Sequence, residues 1–80
     1  MHELGLTRNV VAIVLEHAKG RKVKEVRLAV GPLAGVEQQA LTFCFDAVTQ
    51  GTELEGASLG FVDAEGDTFL IKEFELLEAS

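Results

Sequence analysis

The chain of 80 residues has one cysteine, one proline and neither tryptophan nor tyrosine. A lone cysteine, Cys44, cannot close an internal disulfide and cannot by itself build a Cys-Cys or Cys-His zinc cage. No run approaches the roughly 18 apolar residues that cross a bilayer, and the acidic start Met1-His2-Glu3 lacks the basic region of a secretory signal. A cytoplasmic location is therefore expected. Basic residues are also scarce, 7 Lys and Arg against 13 Asp and Glu, for a net charge of -6. That field repels phosphate backbones and anionic headgroups, which argues against nucleic-acid or membrane-surface binding and favours cationic or protein partners. No glycine-rich phosphate loop leads from a strand into a helix, and neither histidine sits in a nucleophile motif, so catalysis by this chain alone is not expected. Repeats, low-complexity segments and linkers are absent as well.

What remains is an ordinary globular composition, 48% hydrophobic and 25% charged. A chain this short buries about 60–65% of its unfolded surface and has material for one core. Leu6, Val10, Ile13, Val14 and His17 recur at helical spacing, which predicts a helix from Leu4 to Lys19 stopped by Gly20. The run Val10 to Leu15 could alone be a buried strand, but the pattern extends past strand length. Val23 to Val30 alternates, Val26, Leu28 and Val30 against Glu25, Arg27 and Ala29, and Gly31-Pro32 ends it.

A second helix is predicted from Val36 to Thr49, with Val36, Ala40, Phe43, Cys44, Ala47 and Val48 on its apolar stripe and Gly51 as terminator. Ala57 to Val62 and Thr68 to Leu77 read as strands joined into a hairpin by the turn Asp63-Ala64-Glu65-Gly66. In the last strand Leu70, Phe74 and Leu76 point one way and Phe69 and Ile71 the other, which suits a central or a long strand. The order strand, helix, strand predicts parallel neighbours, and the hairpin adds an antiparallel strand. The expected fold is α/β (α+β): two helices on a small three-stranded mixed sheet, a two-layer sandwich.

Metal-ligating groups crowd together only at the amino end, where the Met1 amine, the His2 imidazole, the peptide nitrogens of His2 and Glu3 and the Glu3 carboxylate are adjacent. His2 should stay second, because Met before a bulky residue is generally not removed. Amine and imidazole can close small chelate rings through the His2 amide nitrogen once a metal displaces its proton. Such nearly planar, nitrogen-rich coordination suits Ni(II) or Cu(II), not Mg(II) or Ca(II). From the residues alone, a histidine near a terminus more often does nothing. His17 reads as a cap favoured by the helix dipole, Cys44 as a small buried hydrophobe, and Glu37 as an acid favoured in the first turn of a helix. Asp63, Glu65 and Asp67 miss calcium-loop spacing and read as a solvated turn.

Four stretches together are more specific: Met1-His2-Glu3-Leu4, Val30-Gly31-Pro32-Leu33-Ala34-Gly35-Val36-Glu37, Ala40 to Val48, and Gly51 to Ala57. With the closing Gly66 to Glu75, they resemble the HypA/HybF family of nickel-incorporation proteins, which help mature [NiFe]-hydrogenase and sometimes urease. The resemblance implies a non-enzymatic nickel metallochaperone whose nickel domain spans 1–80. His2 would be the side-chain Ni(II) ligand, main-chain nitrogens of His2 and Glu3 would sit beside it, and Glu37 would supply an oxygen. It also implies partners, a HypB-type GTPase and the hydrogenase large subunit. Independently of the resemblance, a small sheet with an open edge invites self-pairing, so the chain is expected to be a monomer or weak dimer. The family's zinc domain, with its two Cys-x-x-Cys pairs, would be inserted at about residues 63–66, where this chain has only a turn, so no zinc is expected. The rival reading is a metal-free interaction or regulatory module on the same scaffold.

Overall fold

The computed structural model describes residues 2–78. Its elements run α1 (Glu3–Ala18), β1 (Val23–Val30), α2 (Gln38–Val48), β2 (Ser58–Asp63) and β3 (Phe69–Leu76). The expected helices and three-stranded mixed sheet are all present. β1 is parallel to β2 and antiparallel to β3, and the order across the sheet is β2-β1-β3.

That order corrects the expected hairpin. β2 and β3 follow one another in sequence but lie on opposite sides of β1, so β1 is the central strand and β3 an edge. The Asp63 to Asp67 turn must therefore step across the end of β1. It is stitched there by Ala64 N–H to Val30 O (3.2 Å), Gly31 N–H to Thr68 O (2.8 Å) and Leu33 N–H to Gly66 O (2.8 Å). A Cβ on Gly31 would collide with the carbonyl oxygen of Gly66 and stand 2.7 Å from that of Glu65. Local sequence cannot distinguish this crossing from a hairpin, because both need a turn of the same composition.

A register shift between Arg27 and Leu28 leaves Lys72 as an extra residue in β3, and a second shift leaves Lys24 extra in β1. Residues paired across a ladder share a face. Ile71 lies opposite Leu28 and Phe74 opposite Val26, while Phe69 and Leu76 face Val30 and Val23, so all four join the core face. Leu70 alone points away with Glu73 and Glu75, which corrects the alternation expected for this strand. A single bulged residue inverts every facing beyond it.

Both helices cover one face of the sheet, α1 on the β3 side and α2 on the β2 side. The core gathers Val10, Val14, Val26, Leu28, Leu41, Phe45 and Leu54, of which Val26 and Leu54 are fully inaccessible. In α1 the buried stripe is Thr7, Val10, Val11, Val14 and Ala18, whereas Ile13 is 46% exposed and His17 is exposed. The observed stripe is therefore turned by about one residue from the expected one. α2 begins at Gln38, later than the expected Val36, and buries Leu41 and Phe45. Phe43 is 76% exposed, and Ala47 is also outside. Residues 43 and 45 lie about 200° apart on a helix, so only one can face the sheet. Phe45 prevails because it stacks one turn above Leu41.

The opposite face of the sheet is polar. Arg27 donates from Nε to Glu73 at 2.6 Å, pairs with Glu25, and lies 3.8 Å from Glu75. Gly60 of β2 makes room for this cluster, since a Cβ there would sit 2.9 Å from Glu25 Oε2. These partly exposed pairs hold the strands in register more than they add stability. Gly31→Ala should lower unfolding free energy by about 1–3 kcal/mol through backbone overpacking. A urea midpoint equal to wild type would show that the crossing has room for a methyl group.

Candidate metal centre

His2 is the N-cap of α1, with φ −109° and ψ 29°. Its carbonyl accepts the Leu6 N–H at 3.0 Å, and its side chain makes no capping bond and is exposed. The imidazole is thus open to solvent. The first peptide N–H groups of α1 precede the intrahelical ladder, as at any helix start, and that of Glu3 turns to its own carboxylate. Met1, whose amine the sequence also nominates, lies outside the described residues.

Glu3, the first residue of α1, is only 8% exposed. Its carboxylate Oε2 accepts the peptide N–H of Glu37 at 3.2 Å, and its carbonyl accepts the Thr7 hydroxyl at 2.7 Å. Glu37 is the N-cap of α2, extended at φ −107° and ψ 124°, with an exposed side chain. The structure thereby joins the starts of both helices, and Glu3 is the group that joins them. Two electropositive helix ends meet here, and a buried carboxylate is the natural occupant. Its pKa is lowered from 4.5 to about 2, first by hydrogen bonding with the amino group at the start of the chain, then by the Glu37 N–H and its own N–H.

The nominated residues Glu3 and Glu37 are thus in contact through a carboxylate and a main-chain nitrogen, and His2 adjoins Glu3 in the chain. Among the described residues, no group of three or more His, Cys, Asp and Glu could hold a metal ion. The side chains build no closed cage. What the arrangement offers is an exposed imidazole beside main-chain nitrogens, on an end fastened to the fold by Glu3. The sequence nominates Glu3 as a ligand, by its peptide nitrogen and its carboxylate, and does not reveal that carboxylate as a tie between helices; an acid in a first helical turn was the available signal. Glu37 is outside the helix it was expected to begin, as its cap.

The other candidates stay structural. His17 Nδ1 lies 2.8 Å from the Ile13 carbonyl, one turn back, so its imidazole turns onto the last turns of α1, although that carbonyl lies inside the helix and is not one of its uncapped ends. Cys44 is half-buried, less enclosed than expected, because the core face of α2 centres on Leu41 and Phe45. Asp63 ends β2, and Glu65 and Asp67 are exposed in the crossing turn.

Residues 1–70 match the family model described as HypA, hydrogenase/urease nickel incorporation, metallochaperone. The chain belongs to the HypA family. That description is of a carrier and not of a catalyst. Among curated relatives, the HypA hydrogenase maturation factor of Nostoc punctiforme (strain ATCC 29133 / PCC 73102) is 54% identical over 66 residues. Those residues are 82% of this chain and 58% of that protein. The HypA hydrogenase maturation factor of Geobacter sp. (strain M21) is 52% identical over 59 residues, 74% of this chain and 54% of that one. The chain thus spans somewhat over half the length of the HypA proteins it matches. In fold it is similar to the solution structure of the Ni metallochaperone HypA from Helicobacter pylori. The TM-score is 0.69 at 17% identity, covering 98% of this chain and 95% of that one. A second HypA solution structure gives 0.66 at 18% identity, covering 98% and 93%. Among the described residues, no helix is long and apolar enough to cross a membrane.

A carboxyl whose pKa is lower in the folded than in the unfolded chain stabilises the fold above its unfolded value and loses that contribution as acid protonates it. For Glu3 the window runs from about 4.5 down to about 2. Glu3→Gln should therefore unfold more readily than wild type at neutral pH, with the difference shrinking from pH 4.5 toward 2. Parallel pH–stability curves for the two proteins would show that Glu3 contributes no charge-dependent tie.

Proposed function

We propose that this chain is a non-enzymatic nickel metallochaperone domain for [NiFe]-hydrogenase maturation that carries Ni(II) at its amino end. The His2 imidazole is the side-chain ligand, the main-chain nitrogens of His2 and Glu3 complete a nitrogen-rich set, and Glu37 supplies an oxygen from the start of α2. The observation that carries this reading is the exposed His2 imidazole, set at the N-cap of α1 on an end that Glu3 ties to α2. Membership of a family described by nickel incorporation supports it. Imidazole and main-chain nitrogens must shed protons to bind, so acid releases the ion. An open site suits delivery, since a recipient can approach the metal directly and opening near a chain end costs little.

The turn at 63–66 joins β2 to β3 directly, and the proposed activity uses the nickel domain alone, with no zinc module in that position. Its recipients are a HypB-type GTPase and the hydrogenase large subunit, met in the cytoplasm. The absence of a three-residue side-chain cluster among the described residues also favours testing the metal-free interaction module directly.

Calorimetric Ni(II) titration of the tag-free chain should give one site that His2→Ala abolishes. One residue added before Met1 should weaken binding as well, because main-chain ligation depends on where the chain starts, whereas a purely side-chain site would be unaffected. Equal heats for wild type and His2→Ala, or none for either, would leave the metal-free module as the correct reading.

A further inference from the structure

β3 is an edge strand, and beside its free edge runs an apolar groove beneath α1. Two hollows of about 270 and 340 Å³ share Ile13 and Ile71; Val14 and Phe74 extend one, Leu6 and Phe69 the other. Along this border Ile13 is 46%, Leu70 50% and Leu77 51% exposed. An unpaired strand with apolar flanks is a template for another strand. The sequence of β3 says which one.

In a regular strand, two residues of opposite parity point to opposite faces, so such a strand cannot pair with itself about a midpoint between neighbours. The Lys72 bulge removes that prohibition in β3. About the midpoint between Lys72 and Glu73, Ile71 matches Phe74 and Phe69 matches Leu76, all on the core face, while Leu70 matches Glu75 on the polar face. At the centre, Lys72 matches Glu73, whose carboxylate is held beside the strand by Arg27 at 2.6 Å. The strand is complementary to its own reverse in facing throughout, in apolar content along the core face, and in charge at the centre; Leu70 against Glu75 on the polar face is the one mismatched pair.

We infer that two copies of this chain pair antiparallel along β3, about a two-fold axis between Lys72 and Glu73, with Lys72 of each copy facing Glu73 of the other. The two sheets become one of six strands. Ile71 and Phe74 of each copy then enter the space beneath Ile13 of its mate and close both hollows. A lysine in mid-edge ordinarily deters foreign strands. Here its own neighbour answers it twice, once on each side of the axis, which makes the contact isologous and closed. This pairing is independent of the nickel reading.

Sedimentation equilibrium from micromolar to millimolar concentration should show a monomer–dimer equilibrium. Lys72→Glu sets like charges opposite one another at two places and should weaken it about tenfold or more. Glu73→Lys should do the same, and an equimolar mixture of the two variants should recover a heterodimer, in which opposite charges face one another again at both places. Because Glu73→Lys also removes a partner of Arg27, amide shifts of the wild-type chain across a dilution series provide a second measurement. They should move along Phe69–Leu76 and on the Ile13 side of α1. A wild-type chain that remains monomeric at millimolar concentration, a dimer indifferent to Lys72→Glu, or shifts confined to β2 would overturn the proposal.

Discussion

The structure depends on β1 having a neighbour on each side, one parallel and one antiparallel. Val26 and Leu28 lie at the centre of the core because strands flank them laterally and helices cover them from above. A central strand requires that the chain leaving β2 pass over its end to reach β3. The step passes so close to the underlying backbone that a side chain there would collide with it, and Gly31 leaves the room. One missing methyl group therefore permits the strand order, and the strand order sets which elements are edges and where α1 and α2 rest.

The amino end is organised by a different means. Helices α1 and α2 start close together, and their first peptide N–H groups and dipoles make that corner electropositive. Such a corner would repel a metal ion were it not for the Glu3 carboxylate, which neutralises it and fastens the first residue of α1 to the cap of α2. The imidazole beside it is left free. Rigidity and accessibility are thus divided between adjacent residues, Glu3 holding the end and His2 presenting it.

Much of this was legible in the sequence, and what was not has identifiable causes. Element positions followed from apolar periodicity, and the parallel pairing of β1 and β2 followed from the helix between them. The hairpin reading failed because Asp63 to Asp67 has the composition of any tight turn, and only long-range pairing reveals what it crosses. The faces of β3 were misread because Lys72, an ordinary polar residue in a strand, gives no sign that it is bulged. Phe43 and Phe45 could not both be core, and the choice between them depended on Leu41 one turn away. At the site, the proximity of Glu3 to Glu37 was anticipated by family resemblance alone. The hydrogen bond that makes it was beyond sequence reading, since it spans 34 positions and uses a main-chain donor.

The crossing turn has one further property. Ala64 and Thr68 are each pinned to the end of β1, at Val30 and Gly31, before the chain turns into the flanking strands. The points where it leaves β2 and enters β3 are therefore separated by two strand spacings, about 10 Å. Each end of the turn is thus fixed to β1 by a hydrogen bond of its own, so the span across the strand is set independently of the residues between the two anchors.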